Sequence, residues 1–185
     1  MSENRHLTMT ELEAGLEHIR QSPKDNGRVE LIVRRPASNE REVLTEGTFD
    51  QVDGLVGDNW KARGSSRTSD GSAHPDMQIN IMNARAIALI AVEPERRKWA
   101  GDQLYLDFDL SEDNLPPGTQ LEIGSSILEI TSEPHNGCKK FTQRFGLDAV
   151  KFVNSEQGKQ LHLRGVNAKV VQSGTIQNGD IVKKR

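Results

Sequence analysis

The chain has 185 residues, 34% hydrophobic and 28% charged, with a formal net charge of −3 and a pI near 6.0. That length suits one domain with a real core, and the mildly acidic balance argues against a general nucleic-acid binder, which needs a basic excess to neutralise phosphates. No apolar run approaches the roughly 20 residues of a membrane helix, the N-terminus has no signal-peptide core, and one cysteine excludes an internal disulfide, so a cytoplasmic protein without membrane attachment is expected.

In chain order, "TMTELEAGLEHI" places Leu12, Leu16 and Ile19 at helical spacing, with Thr10 and Glu13 as a capping box. "RVELIVRRP" and "REVLTEG" read as two strands joined by the turn "PASN". Residues 64–75, "GSSRTSDGSAHP", have no apolar side chain larger than alanine; a loop of this length often carries function and is expected to act as a lid. "MQINIM" is a strand, and Asn83 caps the helix in "ARAIALIAVEPERRKWAG", which Pro94 breaks or restarts. Asp76, Gln78, Asn80, Asn83 and Arg85 form a polar cluster here, read as a solvated strand face rather than a pocket wall.

Beyond Gly101 the strands become dense. "QLYLDFDL" alternates, "TQLEIGSSILEITSE" holds two strands bent at Gly124 and Ser125, and "LRGVNAKVVQSGTIQNGDIVKKR" repeats the idea with "SG" and "QNGD" as turns. Between them "CKKFTQRFGLDAVKFVNS" is helical, with Phe141, Phe145, Ala149 and Phe152 on one face and a split at Gly146. Many short strands with glycine turns predict a mainly β fold closed into a barrel, since closure removes exposed edges.

The stretch "EPHNGCKKFTQRFG" carries the one cysteine, Cys138. The turn before it should deliver the thiol to a helix start, where free N–H groups and the helix dipole favour an anion. Lys139, Lys140 and Arg144 add positive charge, and His135 is a candidate acid or base. A lone cysteine is also commonly a small buried hydrophobe. His135 and Cys138 supply only two ligands where structural zinc needs four. Arg164 and Asn167, in "LRGVNAKV", are candidates for a phosphate or pterin edge and equally for ordinary solvent-facing strand residues; Asn154 reads as a helix C-cap.

The order "AGDQLYLDFDL…LPPGTQLEIGSSILEIT…HNGCKKF…LRGVNAKVV…SGTIQNGDIV" resembles the MOSC domain, the C-terminal domain of molybdenum-cofactor sulfurases. The resemblance runs over residues 45–185, with residues 1–44 as a helix and strands packed on that domain. It implies a Greek-key β-barrel like the barrel domain of pyruvate kinase, and the molybdenum cofactor (molybdopterin) as ligand. Cys138 would carry its sulfur or ligate its molybdenum, and His74, Lys139, Lys140, Arg144, Arg164 and Asn167 would contact it. Where many members carry "K.HGG", this chain has "SDGSAHPDMQIN", so His74 lacks the glycine pair, and Gly137 stands where many place proline.

Three functions follow from the resemblance. One is an oxidoreductase for N-hydroxylated compounds, with Cys138 on molybdenum and electrons from a flavoprotein reductase. Another is a sulfur relay in which Cys138 accepts a persulfide from a pyridoxal-phosphate-dependent cysteine desulfurase, this chain binding no pyridoxal phosphate itself. The last is a scaffold with an inert Cys138.

Overall fold

The structure, a computed structural model, describes residues 5–185. The chain opens with two short helices, α1 (Met9–Ala14) and α2 (Leu16–Arg20), broken at Gly15. The capping box is Thr8 with Glu11, one of two overlapping Thr-x-x-Glu patterns, and not Thr10 with Glu13. Strands β1 (Gly27–Arg34), β2 (Glu42–Leu44), β3 (Glu46–Asp50) and β4 (Gly54–Leu55) follow, then α3 (Trp60–Arg63).

After the 64–75 loop and a 3₁₀ turn come β5 (Ile79–Asn83) and α4 (Ala84–Ala91). Asn83 Oδ1 accepts from the Ala86 amide to start α4, and Pro94 opens a 3₁₀ segment through Ala100. Next are β6 (Leu104–Asp107), β7 (Gln120–Ile123) and β8 (Ser126–Ile130). Helices α5 (Lys139–Phe145), α6 (Leu147–Asn154) and α7 (Glu156–Gln160) precede β9 (Val166–Gln172), β10 (Gly174–Gln177) and β11 (Ile181–Lys184).

The fold is mainly β, as expected. Seven strands close into a barrel in the order β1-β11-β7-β8-β9-β5-β6, with β6 returning to β1 and β2 added at the β1 edge. Every neighbouring pair is antiparallel except β5 with β6. β1 is therefore a stave of the barrel and not an addition packed on it, so a division near residue 44 passes through the barrel wall. β10 leaves the barrel and pairs with β3 in a separate three-stranded sheet with β4, which corrects the expectation that all the late strands share one sheet.

Two apolar clusters hold the molecule together. Val29, Ile32, Ile79, Ile81, Leu104, Leu106, Leu121, Leu128 and Val182 belong to the one built on the barrel strands. The other joins Leu12, Leu16 and Ile19 to Met82, Ile87, Tyr105, Phe141, Phe145, Ala149 and Phe152. Side chains alternate across β5, so Ile79 and Ile81 share one face and Asn80 and Met82 the other. All five β5 residues are buried. The reading of a solvated face at Gln78, Asn80 and Asn83 is overturned: all three are buried, Gln78 bonded to the Gln51 carbonyl and the Val170 amide, Asn80 to Arg35 and Asn167, and Asn83 to Ser22 and the Phe108 carbonyl.

Candidate functional site

Cys138 is the N-cap residue of α5, in extended backbone (φ −119°, ψ 177°), and no side chain caps the helix. Its carbonyl accepts from the Thr142 amide at 3.0 Å and the Thr142 hydroxyl at 3.2 Å. The thiol is free and exposed, so it is not a core filler. Asn154 does more than end α6: its Oδ1 accepts from the Gly137 amide at 2.8 Å and its Nδ2 donates to the Gly137 carbonyl at 3.1 Å. A Cβ on Gly137 would stand 2.8 Å from Val150 Cγ2 and 3.0 Å from Val153 Cγ2, so only glycine lets this turn lie so close to α6.

Three residues before the thiol, His135 joins a buried charge cluster. Its Nε2 lies 2.8 Å from Asp102 Oδ1. Arg164 Nη1 reaches both Asp102 oxygens at 2.9 and 2.7 Å, and Nη2 donates to the Ala100 carbonyl at 3.0 Å. Asp102 is 0% exposed and Arg164 6%. Burial pushes the Asp102 carboxyl up, but Arg164 and then His135 outweigh it and hold Asp102 below the usual carboxylate range.

For His135, burial and then Arg164 push the imidazole below its usual value, against the pull of Asp102. The ring is therefore neutral at pH 7: Nε2–H donates to Asp102, and Nδ1 keeps a lone pair. The Arg164 guanidinium also sits 5.0 Å from the Phe141 ring centre, which ties α5 to the cluster. Gly165, at φ +115°, makes room, since a Cβ there would meet the Ile81 carbonyl at 2.2 Å and His135 Cδ2 at 3.1 Å.

His135 and Arg164 line a cavity of about 450 Å³ with Glu133, Pro134, Asn136, Lys159 and His162 among its other walls. Arg164 Nε is buried with no hydrogen-bond partner among the described residues. The cavity wall follows the strap as far as Asn136; Cys138 stands two residues further on and is not part of the lining.

A line of buried polar side chains positions the strap. Arg35 bonds Asp58 through Nε and Nη2 at 2.9 and 2.8 Å, and its Nη1 donates to Asn80 at 3.0 Å. Asn80 Nδ2 donates to Asn167 Oδ1 at 2.6 Å, and Asn167 Nδ2 to the Glu133 carbonyl at 3.0 Å. Asn167 is 0% exposed. Its amide is engaged by Asn80 and the Glu133 carbonyl, and burial removes the solvent-facing reading of Arg164 and Asn167.

The other expected residues separate. Lys139 and Lys140 are exposed in the first turn of α5 and are not in the wall of this cavity. His74 starts the 3₁₀ turn, accepting from the Asp76 amide at 3.2 Å, and its Nε2 lies 3.8 Å from Glu133. The long loop does reach the cavity rim, because Arg67 Nη1 pairs with Glu133 Oε2 at 2.8 Å. Arg144 is not with Cys138. It lies at the other end of α5, about 9 Å along the axis at 1.5 Å per residue, in a second cavity with Asn39, Arg96 and Trp99.

Asp102, Asp58, Arg35 and Gln103 were not singled out from the sequence. Only the Gly-Asp opening of the 101–132 stretch signalled the first of them.

Comparison with family models matches the MOSC domain over residues 68–183, more than half of the chain. No curated protein matches it. Among solved structures, the YuaD protein from Bacillus subtilis superposes with a TM-score of 0.64 at 16% identity, covering 86% of this chain and 95% of that one. YiiM from Escherichia coli gives 0.55 at 18% identity, covering 85% and 69%. At those identities the likeness concerns the fold, and it agrees with the small barrel described above. No described helix is long and apolar enough to cross a membrane. The chain belongs to the MOSC domain family.

Proposed function

We propose that this MOSC-family protein binds a molybdenum cofactor, or sulfur on its way to one, with Cys138 as the atom that ligates the metal or carries the sulfur. The observation that carries the reading is the exposed thiol at the head of α5, joined through Asn136 and Gly137 to His135 in a cavity wall. The residues fit such a group. The cavity has the volume of a small-molecule site, thiolate sulfur is a soft donor, Lys159 and the orphaned Arg164 Nε offer N–H groups to a polar ligand, and His162, whose Nδ1–H donates to the Leu110 carbonyl, offers Nε2 as an acceptor.

Cys138 would hold the metal, and Lys159, His162 and Arg164 the polar parts of the ligand. When bound, the cofactor supplies the redox centre. The protein's own residues orient and move protons: Asp102 fixes the tautomer of His135, leaving Nδ1 to take a proton from a reacting group or, once charged, to return it. The Arg67–Glu133 contact lets the 64–75 loop act as a lid over the cavity rim. Turnover by this route reduces an N-hydroxylated compound with electrons from a flavoprotein partner.

The exposure of Cys138 supports a second reading, the sulfur relay, because a partner protein can reach the thiol. The Cys138 thiolate attacks the outer sulfur of a donor persulfide held by a pyridoxal-phosphate-dependent desulfurase. The donor's S–S bond breaks, a new one forms on Cys138, and the donor thiolate leaves without net redox change.

Molybdenum and sulfane-sulfur analyses of protein purified from a cofactor-making host separate the readings. Molybdenum near one per chain supports the cofactor site, and cyanide-labile sulfur without metal supports the relay. Neither, in protein that is folded, leaves the scaffold reading.

A further inference from the structure

The second cavity, of about 320 Å³, is lined by Asn39, Arg96, Trp99, Arg144 and Phe145. Arg41, from the loop between β1 and β2, is not in that lining but stands over the same Trp99 ring as Arg144. The cations Arg41, Lys98 and Arg144 stand 5.6, 5.8 and 5.6 Å from the Trp99 ring centre, and Arg96 stands 5.5 Å from that of Phe145. A Cβ built on Gly101 would lie 3.9 Å from Arg41 Nη2 and 4.0 Å from Arg144 Nη1. Both guanidinium groups therefore converge on one spot.

Among the described residues, none of these four cations has a carboxylate within ion-pair distance. Their partners are neutral oxygens. Arg144 donates to the Trp99 carbonyl at 2.7 Å and Asn39 Oδ1 at 3.4 Å. Arg96 donates to the carbonyls of Arg5, Ala91 and Arg144. Asp58, whose charge partly offsets the positive field at Arg41, is already committed to Arg35. Arg41 Nε is buried with no hydrogen-bond partner among the described residues.

Arg96 and Arg144 in the cavity wall, with Arg41 and Lys98 beside the same Trp99 ring, repel one another and cost stability unless an anion enters. Burial and the neighbouring Arg144 both weaken Arg41's hold on its proton, consistent with an uncompensated positive field. Guanidinium forks match phosphate oxygens in shape as well as charge.

We propose that the cavity between Arg41, Arg96, Trp99 and Arg144 is a binding site for the phosphate group of a phosphorylated ligand. The segment Trp99–Asp102 forms the partition between the two sites. The Trp99 carbonyl anchors Arg144 on one side, while the Ala100 carbonyl and the Asp102 carboxylate anchor Arg164 on the other. A phosphate-bearing ligand can therefore come from two sources, a cofactor whose body fills the first cavity or a separate phosphorylated molecule.

The test is calorimetric titration of the purified full-length protein with inorganic phosphate and pyrophosphate. One equivalent of pyrophosphate should bind, more weakly as salt rises. Arg41→Gln and Arg144→Gln should each weaken binding about tenfold, while Lys183→Gln, a remote exposed cation on β11, should leave it unchanged. Should Arg144→Gln fail to fold, Arg41→Gln decides alone, since Arg41 makes no side-chain bond to another element.

Protein loaded with cofactor by its host adds the source. If it refuses pyrophosphate until stripped, the cofactor's own phosphate occupies the site; if it still takes one equivalent, a separate ligand does. No saturable binding at millimolar pyrophosphate, or binding indifferent to Arg41→Gln, overturns the proposal whether or not the chain binds molybdenum.

Discussion

Asp102→Asn probes the cluster on which the site rests. The wild-type carboxylate is fully buried and takes three short contacts, one from His135 and two from Arg164. An asparagine of the same shape keeps one acceptor oxygen, but its amide nitrogen must face an N–H of Arg164, because Arg164 Nη1 addresses both positions. It also removes the counter-charge of a buried guanidinium. Breaking a buried pair from one side costs about 3–5 kcal/mol. At about 2–4 °C per kcal/mol for a chain of this size, the melting temperature should fall by roughly 6–20 °C.

Urea denaturation followed by circular dichroism measures this directly. Asp102→Asn with Arg164→Gln should lose less than the two single changes together, since the double variant leaves no buried charge unpaired. A loss below about 1 kcal/mol for Asp102→Asn, the range of an exposed ion pair, would refute the claim that this cluster braces the strap.

Four further outcomes are expected. His135 binds its proton less readily folded than unfolded, so stability should fall as pH drops through about 6.5, and His135→Gln should flatten that limb in pH-dependent melts. Asp102 has a profile of the same sign in a lower window, a carboxylate held low in the folded state, and its stabilisation should be lost only as pH falls below about 3.9. Gly137→Ala forces a methyl against Val150 and Val153 and should cost about 1–3 kcal/mol in urea melts, whereas Cys138→Ser, at an exposed position, should stay within about 0.5 kcal/mol. Hydrogen exchange across residues 64–75 should slow when a ligand fills the first cavity, and exchange unchanged by ligand would remove the lid.

Much of the barrel was legible because turn chemistry is local. Gly124 and Ser125, the "QNGD" turn and the split at Gly146 each mark a boundary with their own backbone needs, and Phe141, Phe145, Ala149 and Phe152 show a buried face at helical spacing. The head of α5 was legible for the same reason.

What could not be read was which layer covers a strand. Asn80 and Gln78 alternate like solvated residues, and nothing nearby in the chain reveals that Arg35 and Asn167 meet Asn80, or that Gln51 and Val170 meet Gln78. Asp102 lies 33 residues before His135 and 62 before Arg164, and only barrel closure brings the three together. Arg144 misled in the opposite way, since closeness in sequence suggested a partner for Cys138 that the length of α5 carries to another cavity.

The central claim is that a ligand of the first cavity engages the Cys138 thiol. Its most direct test is the rate of iodoacetamide alkylation of Cys138, read by mass spectrometry on folded protein, cofactor-loaded against stripped. The account predicts fast labelling of the stripped protein, as its exposure requires, and strong protection in the loaded one that is lost when the ligand is removed. Equal formation of the plain Cys138 adduct in loaded and stripped protein would contradict it, because a thiol bound to the metal is masked and one that carries sulfur is alkylated on its outer sulfur, giving a heavier adduct.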